Sequence, residues 1–295
     1  MTRRSDSFLW SGRLRGKVAV VTGASRGLGK GIASALGQAG AMVYVTGRSF
    51  RGHPRLKDFP GTIQDTAEEV TLRGGEGIAV RCDHTRDSDV RRLFSKIKNE
   101  QGHLDILVNN AWGGYEPYVE HNRWFQRPFW KQSMDRWDGM FTAGVRAHLV
   151  TNLFAIPLML RRRGLIVSTT YWNRGEYLGL LFYDMAKAAI NRMAFGLGDE
   201  LRKHGVTAVA ISPGWIRVER MYLDVPPRQL RRIESPEYVG RAIAALATDP
   251  NRLEKSGQTW EVGALAKAYW FTDIDGRVHD YHSEIRNPRT DPHRA

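Results

Sequence analysis

Seven short apolar runs, rich in β-branched residues, alternate along most of the chain with segments of helical periodicity. The runs are KVAVVTG (17–23), AMVYVTG (41–47), EGIAVRCD (76–83), LDILVNNA (104–111), GLIVSTT (164–170), VTAVAISP (206–213) and GQTWEVG (257–263). Helical patterns fill the early gaps at 28–40, 62–75 and 88–102. A strand that is apolar on both sides needs cover on both sides, and strands joined through helices run parallel. The alternation therefore predicts an α/β fold, a single doubly wound domain whose seven-stranded parallel sheet carries helices on both faces.

The pattern occupies residues 14–276, after an irregular leader (1–13) and before a polar tail (277–295). The tail is expected to be poorly ordered or docked only in an oligomer. At 295 residues the chain is long enough for one such domain. No apolar run reaches the roughly 18–20 residues of a membrane span, and the leader lacks the apolar stretch of a secretory signal. Cys82 is the only cysteine, which excludes an internal disulfide and a thiolate metal cluster. No metal site is expected, and cytoplasmic residence is. The net charge is +13. It is scattered over Arg3, Arg4, Arg13 and Arg15, then Arg161 to Arg163, then Arg228, Arg231 and Arg232. Without a basic stripe interleaved with aromatics, this reads as a diffuse solvated surface rather than a nucleic-acid or membrane interface.

TGASRGLG (22–29) lies between the first strand and the first helix. Gly23, Gly27 and Gly29 allow backbone to approach a pyrophosphate, and a helix N-terminus offers it unpaired N–H groups. Ser25, Arg26 and Leu28, within the same loop, are cofactor contacts too. Position between strand and helix is what makes this a dinucleotide loop and the domain Rossmann-type. An acidic residue at the end of the second strand would hold the ribose 2′-hydroxyl of NAD. Arg48 stands there, with Arg26 nearby, and an arginine fork suits a 2′-phosphate. NADP(H) is therefore expected over NAD(H); the other reading of Arg48 is a solvated loop residue.

FYDMAKAAI (182–190) places Tyr183 and Lys187 on one helix face. A phenol with pKa near 10 becomes a usable acid or base when an ammonium stabilises its phenolate. In order and separation, TGASRGLG, NNA (109–111), YDMAK (183–187) and SPGW (212–215) resemble the short-chain dehydrogenase/reductase family. YVTGRSFRGH (44–53) and FTDIDGR (271–277) resemble a bacterial branch close to its dehydrogenase/reductase member-one group.

The resemblance implies roles. Tyr183 is the proton donor or acceptor, and Lys187 holds the nicotinamide ribose and lowers the tyrosine pKa. Asp83 contacts adenine, while Asn109 and Ala111 line the ribose region. Pro213 and Gly214 shape the nicotinamide wall, with the Ile216 backbone near the carboxamide. Thr170 stands where the family has its catalytic serine, with Ser168 and Thr169 as neighbouring alternatives. Gly144 aligns with the family's relay asparagine. His148, one turn on, either replaces that relay or is a core or surface histidine. Val218 stands where a threonine often follows PG.

Two long segments leave the carboxyl ends of strands, where open α/β sheets bind ligands. Residues 112–137 carry Trp112, Tyr115, Tyr118, Trp124, Phe125, Phe129 and Trp130. These wall a large apolar pocket, pack an insertion, or form a subunit interface. Residues 214–235 form a lid with Met221, Tyr222 and Leu223 over the cofactor. The expected activity is NADP(H)-dependent interconversion of a carbonyl and a secondary alcohol on a bulky apolar substrate, in a homodimer or homotetramer. The alternative is a dinucleotide-binding sensor or scaffold with little turnover.

Overall fold

The computed structural model describes residues 11–53, 59–115, 128–172, 174–177, 179–219, 230 and 233–280. Seven parallel strands pair in the order β3-β2-β1-β4-β5-β6-β7. They are β1 (Val18–Val21), β2 (Met42–Gly47), β3 (Glu76–Arg81), β4 (Ile106–Asn109), β5 (Leu165–Thr169), β6 (Thr207–Ser212) and β7 (Thr259–Glu261). Each falls inside its apolar run and is shorter than it. The last residues of β1 and β4, Val21 and Asn109, are where pairing gives way to the loops of the site.

Among the described residues, seven α-helices of eight or more residues cover the sheet: α1 (Gly27–Gln38), α2 (Ile63–Leu72), α3 (Asp87–Gln101), α4 (Ala147–Met159), α5 (Leu181–Glu200), α6 (Pro236–Thr248) and α7 (Val262–Tyr269). Several of their ends follow from local chemistry. Thr62 and Asp65 form a reciprocal capping box at the start of α2. Ser235 accepts from the Tyr238 N–H at the start of α6, with Pro236 in the first turn. Gly102 closes α3 in the left-handed region.

Side-chain alternation divides the core. Ala19 and Val21 of β1, with Val43, Val45, Ile106 and Val108, pack towards α1 and α6. Val18 and Val20, with Tyr44, Leu107, Ile166 and Ala208, pack on the opposite face with Leu93 of α3 and Ala155 of α4. From β1 the chain steps to β2 and β3 on one side, while β4 to β7 lie on the other. The crevice of a doubly wound sheet opens at such a reversal, outside the carboxyl ends of the strands. Gly23, Asn109, Thr170 and Pro213 all follow or end strands at that edge.

The tail departs from expectation at its start. Residues 277–280 pack against the domain rather than extending from it. His279 is buried, its carbonyl accepts from the Tyr238 hydroxyl at 3.2 Å, and its Nε2 lies 3.4 Å from Asp273. The hydroxyl buried on α6 needs a polar partner, and the His279 carbonyl supplies it. The rest of the tail and residues 1–10 of the leader lie outside the described residues. No described helix is long and apolar enough to cross a membrane.

Candidate active site

The glycine loop is held by its neighbour strand. Thr22 Oγ1 accepts from the backbone N–H of Asn110 and Ala111, both at 2.8 Å. Asn110 Nδ2 returns to the carbonyls of Thr22 and Gly23 at 2.9 and 3.2 Å. Gly23 adopts φ +64°, and a Cβ there would fall 2.8 Å from the Ala111 backbone. Only glycine fits that crossing. Ser25 is buried and Leu28 packs against the core.

Helix α1 begins at Gly27 without a side-chain cap from Arg26. Glu219 fills the role: its Oε1 accepts from the Gly27 N–H at 3.0 Å. A carboxylate thus stands where the helix dipole favours negative charge. Arg26 Nη2 donates to Ser49 Oγ at 2.8 Å and to the Gly61 carbonyl at 3.0 Å, while its Nε is buried without a partner. Burial lowers the Arg26 pKa, opposed by the Glu219 charge. Arg48, just past β2, acts electrostatically on Asp83. Burial would raise the Asp83 pKa, but Thr85 donates to it twice, at 3.0 and 2.7 Å, and Arg48 and Arg86 add positive charge. The carboxyl is held below its ordinary value.

Tyr183 and Lys187 sit in the first two turns of α5, as their spacing requires. Lys187 is 7% exposed. Its Nζ lies 3.7 Å from the centre of the Trp112 ring and 5.4 Å from that of Tyr183. Trp112 meets Tyr183 edge-on at 5.8 Å, and Tyr171 and Tyr115 approach Tyr183 at 6.3 and 6.5 Å. Burial pushes the Lys187 pKa down to about 7, so its ammonium rests on ring faces in place of water. Thr170 is buried, and its hydroxyl donates to the Lys187 carbonyl at 3.3 Å. The Thr169 hydroxyl donates instead to the Asn109 carbonyl at 3.4 Å, and Ser168 is buried in β5. Of the three hydroxyl residues, Thr170 is the one bonded to the backbone of α5.

The adjacent asparagines face different ways. Asn109 turns into the core and donates to Asn152 Oδ1 at 2.8 Å, while Asn110 carries the glycine loop. Strand parity was the available signal, since neighbours in a strand point to opposite faces. Gly144 lies in a π-helical stretch, Asp138–Arg146. A Cβ on it would fall 2.6 Å from the Trp112 ring, so the indole occupies the space of a side chain at 144. His148 is fully buried. Its Nε2 lies 3.2 Å from the Ala111 carbonyl, and its Nδ1 has no partner. Burial first, then the Lys187 charge, push its pKa down to about 3, and it is a neutral core imidazole.

Beyond β6 a strap crosses the cleft. Gly214 N–H donates to Glu234 Oε2 at 3.0 Å, and Ile216 bridges to Glu234. The strap then reaches α1 through Val218 and Glu219. Pro213 is buried at its start. Met221, Tyr222 and Leu223 lie outside the described residues, as do Tyr118, Trp124 and Phe125. The remaining aromatics of 112–137 divide: Trp112 and Tyr115 face Tyr183, whereas Phe129 and Trp130 are exposed.

This arrangement offers an anion-accepting helix end, a buried cation and a phenol within one crevice. The chain as a whole is similar to known proteins. Residues 17–224 match the family described as short chain dehydrogenase. A mouse protein named dehydrogenase/reductase SDR family member 1 is 37% identical over 286 residues, which cover 92% of this chain and 87% of that protein. The crystal structure of a putative dehydrogenase from Xanthomonas campestris superposes with a TM-score of 0.76 at 26% identity, covering 91% of this chain and 95% of that one. A metagenomic short-chain oxidoreductase in complex with NADP superposes with a TM-score of 0.66 at 25% identity, covering 84% and 97%. The chain belongs to the short-chain dehydrogenase/reductase family.

Proposed function

We propose that the chain is an NADP(H)-dependent oxidoreductase that interconverts a carbonyl and a secondary alcohol on a bulky apolar substrate. The observation that carries this is the Lys187 ammonium, 7% exposed and held against Trp112 beside Tyr183. An ammonium kept in so dry a place is costly unless it acts on a neighbour.

The residues fit a dinucleotide. The glycine crossing at Gly23, the anion position at the start of α1 that the Glu219 carboxylate fills, and the unpartnered Arg26 Nε suit a pyrophosphate and an adenosine phosphate. Arg26, Arg48 and Ser49 surround the position where an acid would select NAD, and none of them repels a 2′-phosphate. The NADP complex of a structural relative supports the same preference. Gly27, Gly29, Ala111, Gly214 and Ile216 complete the cradle from their backbones, and Asp83 closes its adenine end.

Nicotinamide, when bound, supplies hydride to the carbonyl carbon in reduction and accepts it in oxidation. Tyr183 gives its phenolic proton to the carbonyl oxygen, so carbonyl, hydride and proton become the alcohol; oxidation returns the proton to Tyr183. Lys187, charged, stabilises the phenolate that remains. Thr170 turns its hydroxyl from the Lys187 carbonyl to the substrate oxygen. Trp112, Tyr115 and Tyr171 present apolar ring surface around Tyr183, which supports a bulky apolar substrate. Homo-oligomerisation is part of this reading. Leu149 and Leu153, one turn apart on α4, are exposed apolar side chains, and sedimentation tests the state.

The test is Tyr183→Phe. Turnover of aromatic ketones with NADPH should fall at least about a hundredfold, while NADP⁺ binds as in the wild type and more tightly than NAD⁺. Retained turnover removes Tyr183 as the acid, and a preference for NAD⁺ removes the cofactor assignment. A second reading is a dinucleotide sensor with little turnover, favoured by Gly144, where the Trp112 ring fills the space of a side chain. Tight NADPH binding with no oxidation across the ketone panel would select it.

A further inference from the structure

Some cations that lie far apart along the sequence meet in space. At the amino-terminal end of the sheet, opposite the cleft, a cavity of about 580 Å³ is lined by Arg163, Arg202, Lys203, His204, Thr207 and Arg252, among others. The lining includes no carboxylate. The chain brings these cations from three places: the turn before β5, the turn before β6 and the loop after α6.

Among the described residues Arg163, Arg202, Lys203 and Arg252 form no ion pair, although Asp249 and Asp105, outside the lining, act electrostatically on Arg252. Arg252 donates to the carbonyls of Ala247, Asp249 and Arg163, and its Nε is buried without a partner. Arg202 reaches the Leu253 carbonyl at 3.4 Å. Those two acids are shared with other partners: Asp105 with Lys17 and Arg162, Asp249 with Lys255 and Tyr269. A ring of like charges carries repulsion, and one anion with several oxygens relieves it.

We propose that this cavity binds a small phosphorylated molecule bearing a di- or polyphosphate group. Arginine forks match phosphate oxygens, and lysine adds a point charge. The volume falls in the range of roughly 300–1,000 Å³ typical of small-ligand sites rather than of macromolecular surfaces. The site is distinct from the dinucleotide cleft, which lies at the other ends of the same strands.

The experiment is calorimetric titration with inorganic pyrophosphate, with the dinucleotide cleft filled by saturating NADP⁺. Wild type should bind pyrophosphate at one further site. The double variant Arg202→Glu, Lys203→Glu should bind it at least about tenfold more weakly. Should NADP⁺ not bind, the proposed function fails, yet the comparison of wild type with the double variant still decides, because contributions from the cleft cancel. Orthophosphate and phosphatidic acid vesicles form separate arms. Vesicle capture that excess pyrophosphate fails to reverse overturns a small ligand in favour of a membrane surface. Equal pyrophosphate binding by wild type and double variant overturns the site.

Discussion

At the scale of single residues, two charges decide the behaviour of the cleft. Glu219 accepts from the Gly27 N–H, the group a pyrophosphate would use, and two anions do not share one helix end. Glu219→Gln should tighten NADP⁺ binding by about three- to tenfold and lower the stability of the cofactor-free protein by about 0.5–1 kcal/mol. Calorimetry and denaturant unfolding check the two halves, and unchanged affinity would show that the carboxylate already stands aside. Lys187 has a folded pKa of about 7, below the roughly 10.4 of an unfolded lysine. Between these values the unfolded chain binds more protons, so the group's cost is complete below pH 7 and fades as the pH rises towards 10. Lys187→Met should therefore stabilise the cofactor-free protein by about 1–3 kcal/mol at pH 6.5, less at pH 9, with the Trp112 contact offsetting part of the burial.

Elements fit together where side chains are missing. The π-helical stretch Asp138–Arg146 leads into α4, and Trp112 lies against Gly144 within it. A methyl at 144 would sit 2.6 Å from the indole, which real packing does not tolerate. Gly144→Ala should cost about 1–3 kcal/mol by denaturant unfolding, and less than half of that when Trp112 is also replaced by alanine. An equal cost in both backgrounds would mean that another neighbour sets the spacing. The same ring fixes α5 to β4 through Lys187. The break in regular α-helical winding therefore falls where α5 meets the aromatic segment.

Across the whole molecule, acid stability is tied to two buried histidines. His84 bridges Thr46 and Thr151 with a pKa pushed by burial down to about 4, and His148 lies near 3. Both folded values are below the unfolded value near 6.5. The unfolded chain takes up the protons first, and stability falls as the pH drops through 6.5. Each histidine contributes a slope of about 1.4 kcal/mol per pH unit between about 6 and 4. Unfolding free energies at pH 7 and pH 5 should differ accordingly, and His148→Gln should flatten the dependence; an unaltered slope would return the effect to the carboxylates.

The sheet and its order of elements could be read from the chain because periods of 2 and 3.6 residues are local properties, visible in any window of ten. The same holds for Gly23 and for Tyr183 with Lys187, one turn apart on a helix. Contacts between distant segments left no such trace. Glu219 meets Gly27 across 192 positions, Trp112 covers Lys187, and the choice between Asn109 and Asn110 depends on which face of β4 meets α4. Arg163, Arg202, Lys203 and Arg252 are far apart along the chain, and only the return of three separate turns to one end of the sheet gathers them. Local periodicity determined the architecture; the tertiary structure decided the electrostatics, because charges interact through space and not along sequence.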